Sequence, residues 1–309
     1  MPVATLTLNP AVDVTYEIGC LIRNQKVRAR ATRFDPGGNG VNVGRALKRL
    51  GIVASNFCVL AGETGLLLER LLERHLDNPV YVWVEGETRI NATILEQETG
   101  VQYEVVGQGP CVSQAQLESL QERFVGQVKN SYGVVTGSVP PGVANDAYAV
   151  FVRRIHSQGG RAVLDAHGEL LKKGIEAGPF LVKPNRYELE QLIGKALPDL
   201  PSVLAEARAI LAYGVTYVCV SLGEEGALLV GQEVSFMATA PKVAVRSSVG
   251  AGDSLVAGLV AGFVQGLALP EILRMAVAAS AGTVSQPGTE LFLAEQLPTL
   301  LEQVQVREL

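Results

Sequence analysis

The stretch Ser-Ser-Val-Gly-Ala-Gly-Asp-Ser-Leu-Val-Ala-Gly-Leu-Val-Ala-Gly-Phe, residues 247–263, places one carboxylate, Asp253, behind Gly250-Ala251-Gly252 and ahead of an apolar run. The run reads as a helix buried on most sides. A carboxylate at its mouth is costly to desolvate unless it has a partner or a task. Small residues let backbone N–H groups approach a ligand closely, and a helix N-terminus carries about half a positive charge. The stretch therefore suits a negative group such as a transferring phosphoryl. Asp253 is placed to accept a proton from a hydroxyl attacking that group. The same aspartate would also serve as an N-terminal helix cap, and this stretch alone does not separate the two.

Outward from this helix the chain alternates short β-branched runs with helical patterns. Residues 4–8, 55–62, 132–138, 161–166, 179–185 and 216–223 read as strands, and residues 41–51 and 64–76 as helices. This rhythm predicts an α/β fold in which a mainly parallel sheet lies between two layers of helices. Ligands in such folds bind outside the carboxyl ends of the strands. There the sequence places Thr136-Gly137-Ser138, Asp165, Lys183-Pro184-Asn185 and Ser221-Leu222-Gly223. Two alternating segments, 13–34 and 87–106, have no intervening helix. They are expected to form a small antiparallel sheet over the cleft, a lid inserted into one domain spanning residues 1–309.

Of the 309 residues, 48% are hydrophobic and 18% charged, ample for a buried core. The net charge of -5 argues against a nucleic-acid surface, so an anionic ligand must be met by a local basic cluster. The cysteines Cys20, Cys58, Cys111 and Cys219 are far apart, with no CxxC pair. They read as reduced, which suits the cytosol. The start, MPVATLTLNPAVD, reads as a strand rather than a signal peptide. The longest apolar stretch, Ser254 to Leu269, is shorter than the roughly 20 residues a membrane span needs. His75, His156 and His167 share no metal-ligand spacing, and Trp83 reads as packing.

Other motifs carry paired readings. Pro36-Gly37-Gly38-Asn39-Gly40-Val41-Asn42-Val43 fails the dinucleotide fingerprint, because Val43 stands where a third glycine is needed. Its amides and Asn42 would hold a ligand rich in hydroxyls, or simply turn the chain into a helix. Asn185 and Glu188 would hold a hydrated Mg²⁺ or form a capping pair. The turn Ser221–Ala227 would seat a base or a phosphate, or join a hairpin. Lys26, Arg28 and Arg30 alternate onto one strand face and, with Arg89, form either an anion site or a solvated lid edge.

Asp13 in TLTLNPAVD, PGGNGVNVGRAL, TGSVPPG, LVKPNRYELE and SSVGAGDSLVAG, in this order, resemble the PfkB family of sugar kinases, of ribokinase-like fold. The match runs from Thr5 to about Gly288. Within the family the chain looks most like the sugar-phosphate branch: minor 6-phosphofructokinase, 1-phosphofructokinase and tagatose-6-phosphate kinase. Asn39 stands where many members of the latter two carry lysine.

The resemblance implies an ATP- and Mg²⁺-dependent kinase of a phosphorylated ketohexose. Fructose 6-phosphate is the leading substrate, and fructose 1-phosphate or tagatose 6-phosphate the alternative. It implies Asp253 as base and Gly250, Ala251 and Gly252 as anion hole. Asp13, Gly38, Asn39 and Asn42 would hold the sugar, and Lys26, Arg28, Arg89 and Ser138 its phosphate. Lys183, Asn185, Ser221, Gly223 and Gly226 would meet ATP, and Asn185 and Glu188 would organise Mg²⁺ through water. Ser247, Val249, Thr283, Gln286 and Gly288 occupy the places of a K⁺ site, and Glu290 beside them departs from the family pattern. Dimerisation through the lid is also implied. A kinase of an unphosphorylated sugar or nucleoside has no need of three cations. A non-catalytic sensor would need neither a base nor a metal site.

Overall fold

The computed structural model describes residues 3–309. The chain runs β1 (Val3–Thr7), β2 (Ala11–Ile18), β3 (Ala31–Gly37), α1 (Asn39–Arg49), β4 (Ala54–Ala61), α2 (Gly62–His75), β5 (Pro79–Val84), β6 (Arg89–Glu96), β7 (Gln102–Val106), α3 (Gln114–Gln127) and β8 (Tyr132–Thr136). It continues α4 (Ala147–Ser157), β9 (Arg161–Asp165), α5 (Gly168–Glu176), β10 (Leu181–Val182), α6 (Arg186–Ile193), α7 (Leu200–Ile210), β11 (Tyr217–Ser221), β12 (Ala227–Val230), β13 (Ser235–Thr239), α8 (Ala251–Gln265), α9 (Leu269–Val284), α10 (Leu297–Gln303) and β14 (Gln305–Glu308).

A 10-stranded sheet has the order β14-β13-β12-β11-β10-β9-β8-β1-β4-β5. From β5 to β11 every neighbour is parallel, and β12, β13 and β14 add three antiparallel strands at one edge. Successive residues of a strand face opposite sides, so each strand feeds two cores. Val218 and Val220 join the cluster under α3, α4 and α7, whereas Cys219 joins the cluster with α1, α8 and α9. This is the expected arrangement of a sheet between two helical layers. Helices α8 and α9 pack so closely that a Cβ on Gly258 would lie 2.5 Å from Cα of Ala276, which is why the apolar run carries glycine there.

Register at the carboxyl ends sets the site. Thr136 pairs with Asp165. The Lys183 amide donates to the carbonyl of Leu164 at 3.0 Å, and that of Ser221 to Pro184 at 3.1 Å. The strand expected over residues 179–185 is regular only at Leu181–Val182; Pro184, which has no N–H to donate, interrupts it, and a single parallel bridge then joins Asn185 to Ser221.

The lid differs from expectation in three ways. It is mixed, with order β3-β2-β6-β7: β2 is antiparallel to β3 but parallel to β6. Strands β1 and β5 are parallel members of the main sheet, and β2 and β6 leave their carboxyl ends in the same sense. Second, residues 19–30 form no strand. Lys26, Arg28 and Arg30 sit on an exposed loop, and Arg30 turns to Gln97 at 2.9 Å and Glu98 at 3.5 Å within the lid. Third, the alternation of Val14, Tyr16 and Ile18 on β2 predicts an exposed apolar row, but Val14 and Ile18 are buried and only Tyr16 is exposed; Val14 packs against Leu68 and Leu72 of α2.

The four cysteines are unpaired. His75 is half-buried, and His156 and His167 are exposed. Trp83 on the edge strand packs on Gly65. No helix among the described residues is long and apolar enough to cross a membrane.

Candidate active site

Helix α8 opens at Gly250, whose φ of 77° lies in the left-handed region that only glycine adopts without strain. No side chain caps this terminus, so Asp253 is not the helix cap that the sequence left open. The Asp253 carboxylate instead accepts from Asn39 Nδ2 on one oxygen and from Asn42 Nδ2 on the other, each at 2.9 Å. Both amides come from the first turn of α1. Asp253 as a residue is 4% exposed. Burial pushes its pKa up to about 6, with Asp165 adding to the rise and the two asparagines and Lys183 opposing it.

Lys183 is buried, with its ammonium 3.1 Å from Asp165 Oδ1. Burial alone would lower its pKa, but Asp165, Glu188 and Asp253 reverse the shift and hold it raised. Its Nζ would lie 3.3 Å from a Cβ built on Gly252. A fixed positive charge therefore stands beside the glycine amides of α8.

On one side of this centre lies a cleft of about 680 Å³, lined among others by Ser221, Gly223, Gly226, Ala251, Gly252 and Leu255. Gly223–Glu225 is a single 3-10 turn between β11 and β12. Ser221, Gly223 and Gly226 are thus brought to one cleft that ends on the glycines of α8.

On the other side stands the lid. Register puts Asp13 opposite Asn91 and Ala11 opposite Arg89, so Asp13, Asn91 and Arg89 share one lid face. Asn91 donates to Asp13 at 2.8 Å. Burial pushes the Asp13 carboxyl up to about 6, opposed by Asn91 and Arg89 and reinforced by Asp35. Arg89 is half-buried and its Nε has no partner. Gly37 lies directly against the Asp13 carboxylate, Gly38, with φ of 119°, lies against Thr7 and Pro10, and Ser138 accepts from Asn9 at 3.3 Å. Lys26 and Arg28 are exposed on their loop.

Asn185 and Glu188 form a capping box, each side chain accepting from the other's backbone N–H at 2.7 Å. The second oxygen of Glu188 stays outside the box. No group of three or more His, Cys, Asp or Glu side chains that would hold a metal occurs among the described residues. The donor set therefore fits a divalent ion held through water and the phosphates of a ligand, and does not fit an all-protein cage. In the K⁺ candidates, the Thr283 hydroxyl is taken by Ser254 at 2.7 Å and by the Phe292 amide at 3.0 Å. The Gln286 amide donates to Gln296 at 3.0 Å, and the Ser247 hydroxyl accepts from the Val249 amide at 3.2 Å. Gly288 lies against Arg33. The Thr283 carbonyl also accepts from the Gln286 backbone amide at 2.9 Å, whereas Gln286 keeps its side-chain oxygen beside its carbonyl for a cation.

Sequence reasoning missed Arg45 and gave Asp165 and Asn91 no role of their own. Asp165 showed one signal, its place at a strand's carboxyl end. Arg45 showed none, since an arginine inside an amphipathic helix ordinarily faces water.

Residues 2–296 match the pfkB family of carbohydrate kinases. The chain is 34% identical over 296 residues to the 1-phosphofructokinase of Bacillus subtilis, covering 95% of this chain and 97% of that one. It is 34% identical over 289 residues to the ATP-dependent 6-phosphofructokinase isozyme 2 of Mycobacterium tuberculosis, covering 93% and 85%. The crystal structure of phosphofructokinase-2 from Escherichia coli in complex with potassium superposes with a TM-score of 0.92 at 31% identity, over 97% of this chain and 98% of that one. A glycine-opened helix beside a buried carboxylate, set in a fold and sequence shared with these proteins over nearly its whole length, places the chain in the pfkB family of carbohydrate kinases.

Proposed function

We propose that the protein is an ATP-dependent kinase that phosphorylates the free primary hydroxyl of a ketohexose phosphate, with fructose 6-phosphate as the leading substrate. The observation that carries this reading is the buried Asp253 carboxylate between the cleft ending on Gly252 and the lid face bearing Asp13 and Arg89. ATP occupies the cleft over Ser221, Gly223 and Gly226. Its γ-phosphate reaches the amides of Gly250, Ala251 and Gly252, with Lys183 alongside. Asp13, Gly38, Asn39 and Asn42 hold the sugar hydroxyls. Arg89, joined by Lys26, Arg28 and Ser138 when the loop closes on substrate, holds the phosphate already present.

The step is an in-line transfer. The sugar oxygen forms a bond to the γ-phosphorus as the bond to the β-γ bridging oxygen breaks, and Asp253 takes the hydroxyl proton. A carboxylate raised to about 6 is largely ionised at neutral pH yet basic enough to accept that proton. Glu188 and Asn185 would hold Mg²⁺ through water, and the ion would supply charge neutralisation on the phosphates. The backbone carbonyls at Ser247, Val249, Thr283, Gln286 and Gly288 are the candidate donors for K⁺.

Fructose 1-phosphate is the second reading, favoured by the relatives named for it in Bacillus subtilis and Escherichia coli. Coupled ADP release over fructose 6-phosphate, fructose 1-phosphate, tagatose 6-phosphate and fructose separates the readings. Turnover of fructose at the rate of the phosphates would sink the proposal.

The lid's apolar row suggests a homodimer. Tyr16, Phe34, Ile90, Tyr103 and Val105 share one face by register and are exposed. A cytoplasmic location fits the unpaired cysteines.

A further inference from the structure

Arg45 is 2% exposed, inside α1 and one turn beyond Asn42. A buried guanidinium is tolerated only when well paired, yet this one is loosely held. Its Nη2 is 3.9 Å from Glu290 Oε2, and its Nε has no partner. Its Nη1 donates to Asn42 Oδ1 at 3.2 Å and to the Thr289 carbonyl at 3.3 Å. Arg49 braces the same segment, 3.4 Å from Glu290 and donating to the Phe292 carbonyl at 2.6 Å.

The bond to Asn42 has a directional consequence. A side-chain amide accepts at one end and donates at the other. With its oxygen occupied by Arg45, Asn42 must turn its NH₂ toward Asp253, where it donates at 2.9 Å. Reversed, its oxygen would face the carboxylate and repel it. Asn39, which grips the other oxygen, is exposed and has water as an alternative partner. The buried grip depends on Asn42, and the polarity of Asn42 depends on Arg45.

We propose that Arg45 is a positioning residue for the phosphoryl transfer: by fixing the direction of the Asn42 amide it holds the Asp253 carboxylate in register with the attacking hydroxyl, and it ties that register to the Thr289–Phe292 segment. The proposal rests on Asp253 being the base. The charged groups facing that carboxylate are Asp165, which raises its pKa, and Lys183, which lowers it. Neither touches Arg45, so a change at Arg45 acts through the amide.

The test is the pH profile of kcat/KM for the sugar phosphate in Arg45→Met, with Arg45→Lys and Asp253→Asn alongside. Loss of one hydrogen bond to a carboxylate corresponds to about one pH unit. The acidic limb should move up by about that much, which alone lowers kcat at pH 7 about twofold, and the high-pH plateau should fall as well because the carboxylate loses its register, with KM for ATP unchanged. Arg45→Lys keeps a donor for Asn42 and should restore most of the wild-type profile. If Arg45→Met does not fold, Arg45→Gln, whose polar end satisfies the buried site but stops short of Asn42, is read by the same limb. A folded Met or Gln variant with the wild-type limb and kcat, altered only in melting temperature, overturns the proposal and leaves Arg45 as a tie to the Thr289 segment. An Asp253→Asn enzyme that keeps more than a tenth of the wild-type rate instead overturns the base assignment, whatever Arg45 does.

Discussion

Lys183 holds its ammonium 3.1 Å from the carboxylate of Asp165, with both side chains buried. Removing one partner of a buried pair costs about 3–5 kcal/mol, because the other charge is stranded. Lys183→Met should therefore destabilise the protein by that order in urea titrations. The double variant Lys183→Met/Asp165→Asn should recover most of the stability and none of the activity. Recovery of both would show that Lys183 serves only the fold.

Asp253→Asn should lower kcat by roughly 10²–10⁴-fold while ATP still protects the protein against thermal unfolding. Its stability effect has a definite sign. The folded carboxyl titrates at about 6, above the ordinary value of 3.8, so folding favours its protonated form. Wild-type stability from this group is present at low pH and lost as pH rises through that interval. Relative to wild type, Asp253→Asn should thus gain in melting temperature between pH 4 and pH 7. A difference that is flat with pH would place the titration elsewhere.

Arg89→Ala should reduce kcat/KM for the sugar phosphate by roughly 10–150-fold, the worth of one charged hydrogen bond. KM for ATP and any slow turnover of fructose should stay put. Equal loss on fructose and fructose 6-phosphate would assign Arg89 to holding the lid together.

Glu188→Gln keeps a capping oxygen for the Asn185 amide and removes the charge. The Mg²⁺ concentration for half-maximal rate should rise severalfold, with unfolding free energy changed by less than about 1 kcal/mol. An unmoved Mg²⁺ titration would leave the residue as a cap only.

Tyr103→Glu places a charge in the exposed apolar row of the lid. Light scattering at micromolar concentration should show a dimer for wild type and a monomer for the variant. A wild-type monomer would remove the dimer proposal.

What could be read in advance follows from how local each signal is. Strand–helix alternation and the glycines before Asp253 are encoded within a few residues, so the sheet and the mouth of α8 were legible. Pairing partners are not local. Residues 26–30 alternate like a strand, yet β3 begins only at Ala31, and nothing in the alternation reveals where pairing stops. The parallel match of β2 with β6 joins residues about 78 positions apart, as Asn91 to Asp13 shows. The pairing Asn185–Glu188 was visible as a spacing, and the capping box is what that spacing forms. Arg45 stayed hidden because its partners, Thr289 and Glu290, lie more than 240 positions away.

Only Leu8, Asn9 and Pro10 separate β1 from β2, and all three are buried. Asn9 is pinned further, donating to Ser138 at 3.3 Å. The lid is therefore cantilevered from the central sheet by a short stiff stem, with no slack tether at that corner. Torque applied to its outer face must pass through the stem that carries Asp13 and Asn9 into the neighbourhood of Ser138. A contact that loads the lid from outside would thus bear, through that stem, on the proposed sugar pocket around Asp13 and Ser138, so the proposed dimer and the proposed substrate grip would share one mechanical variable.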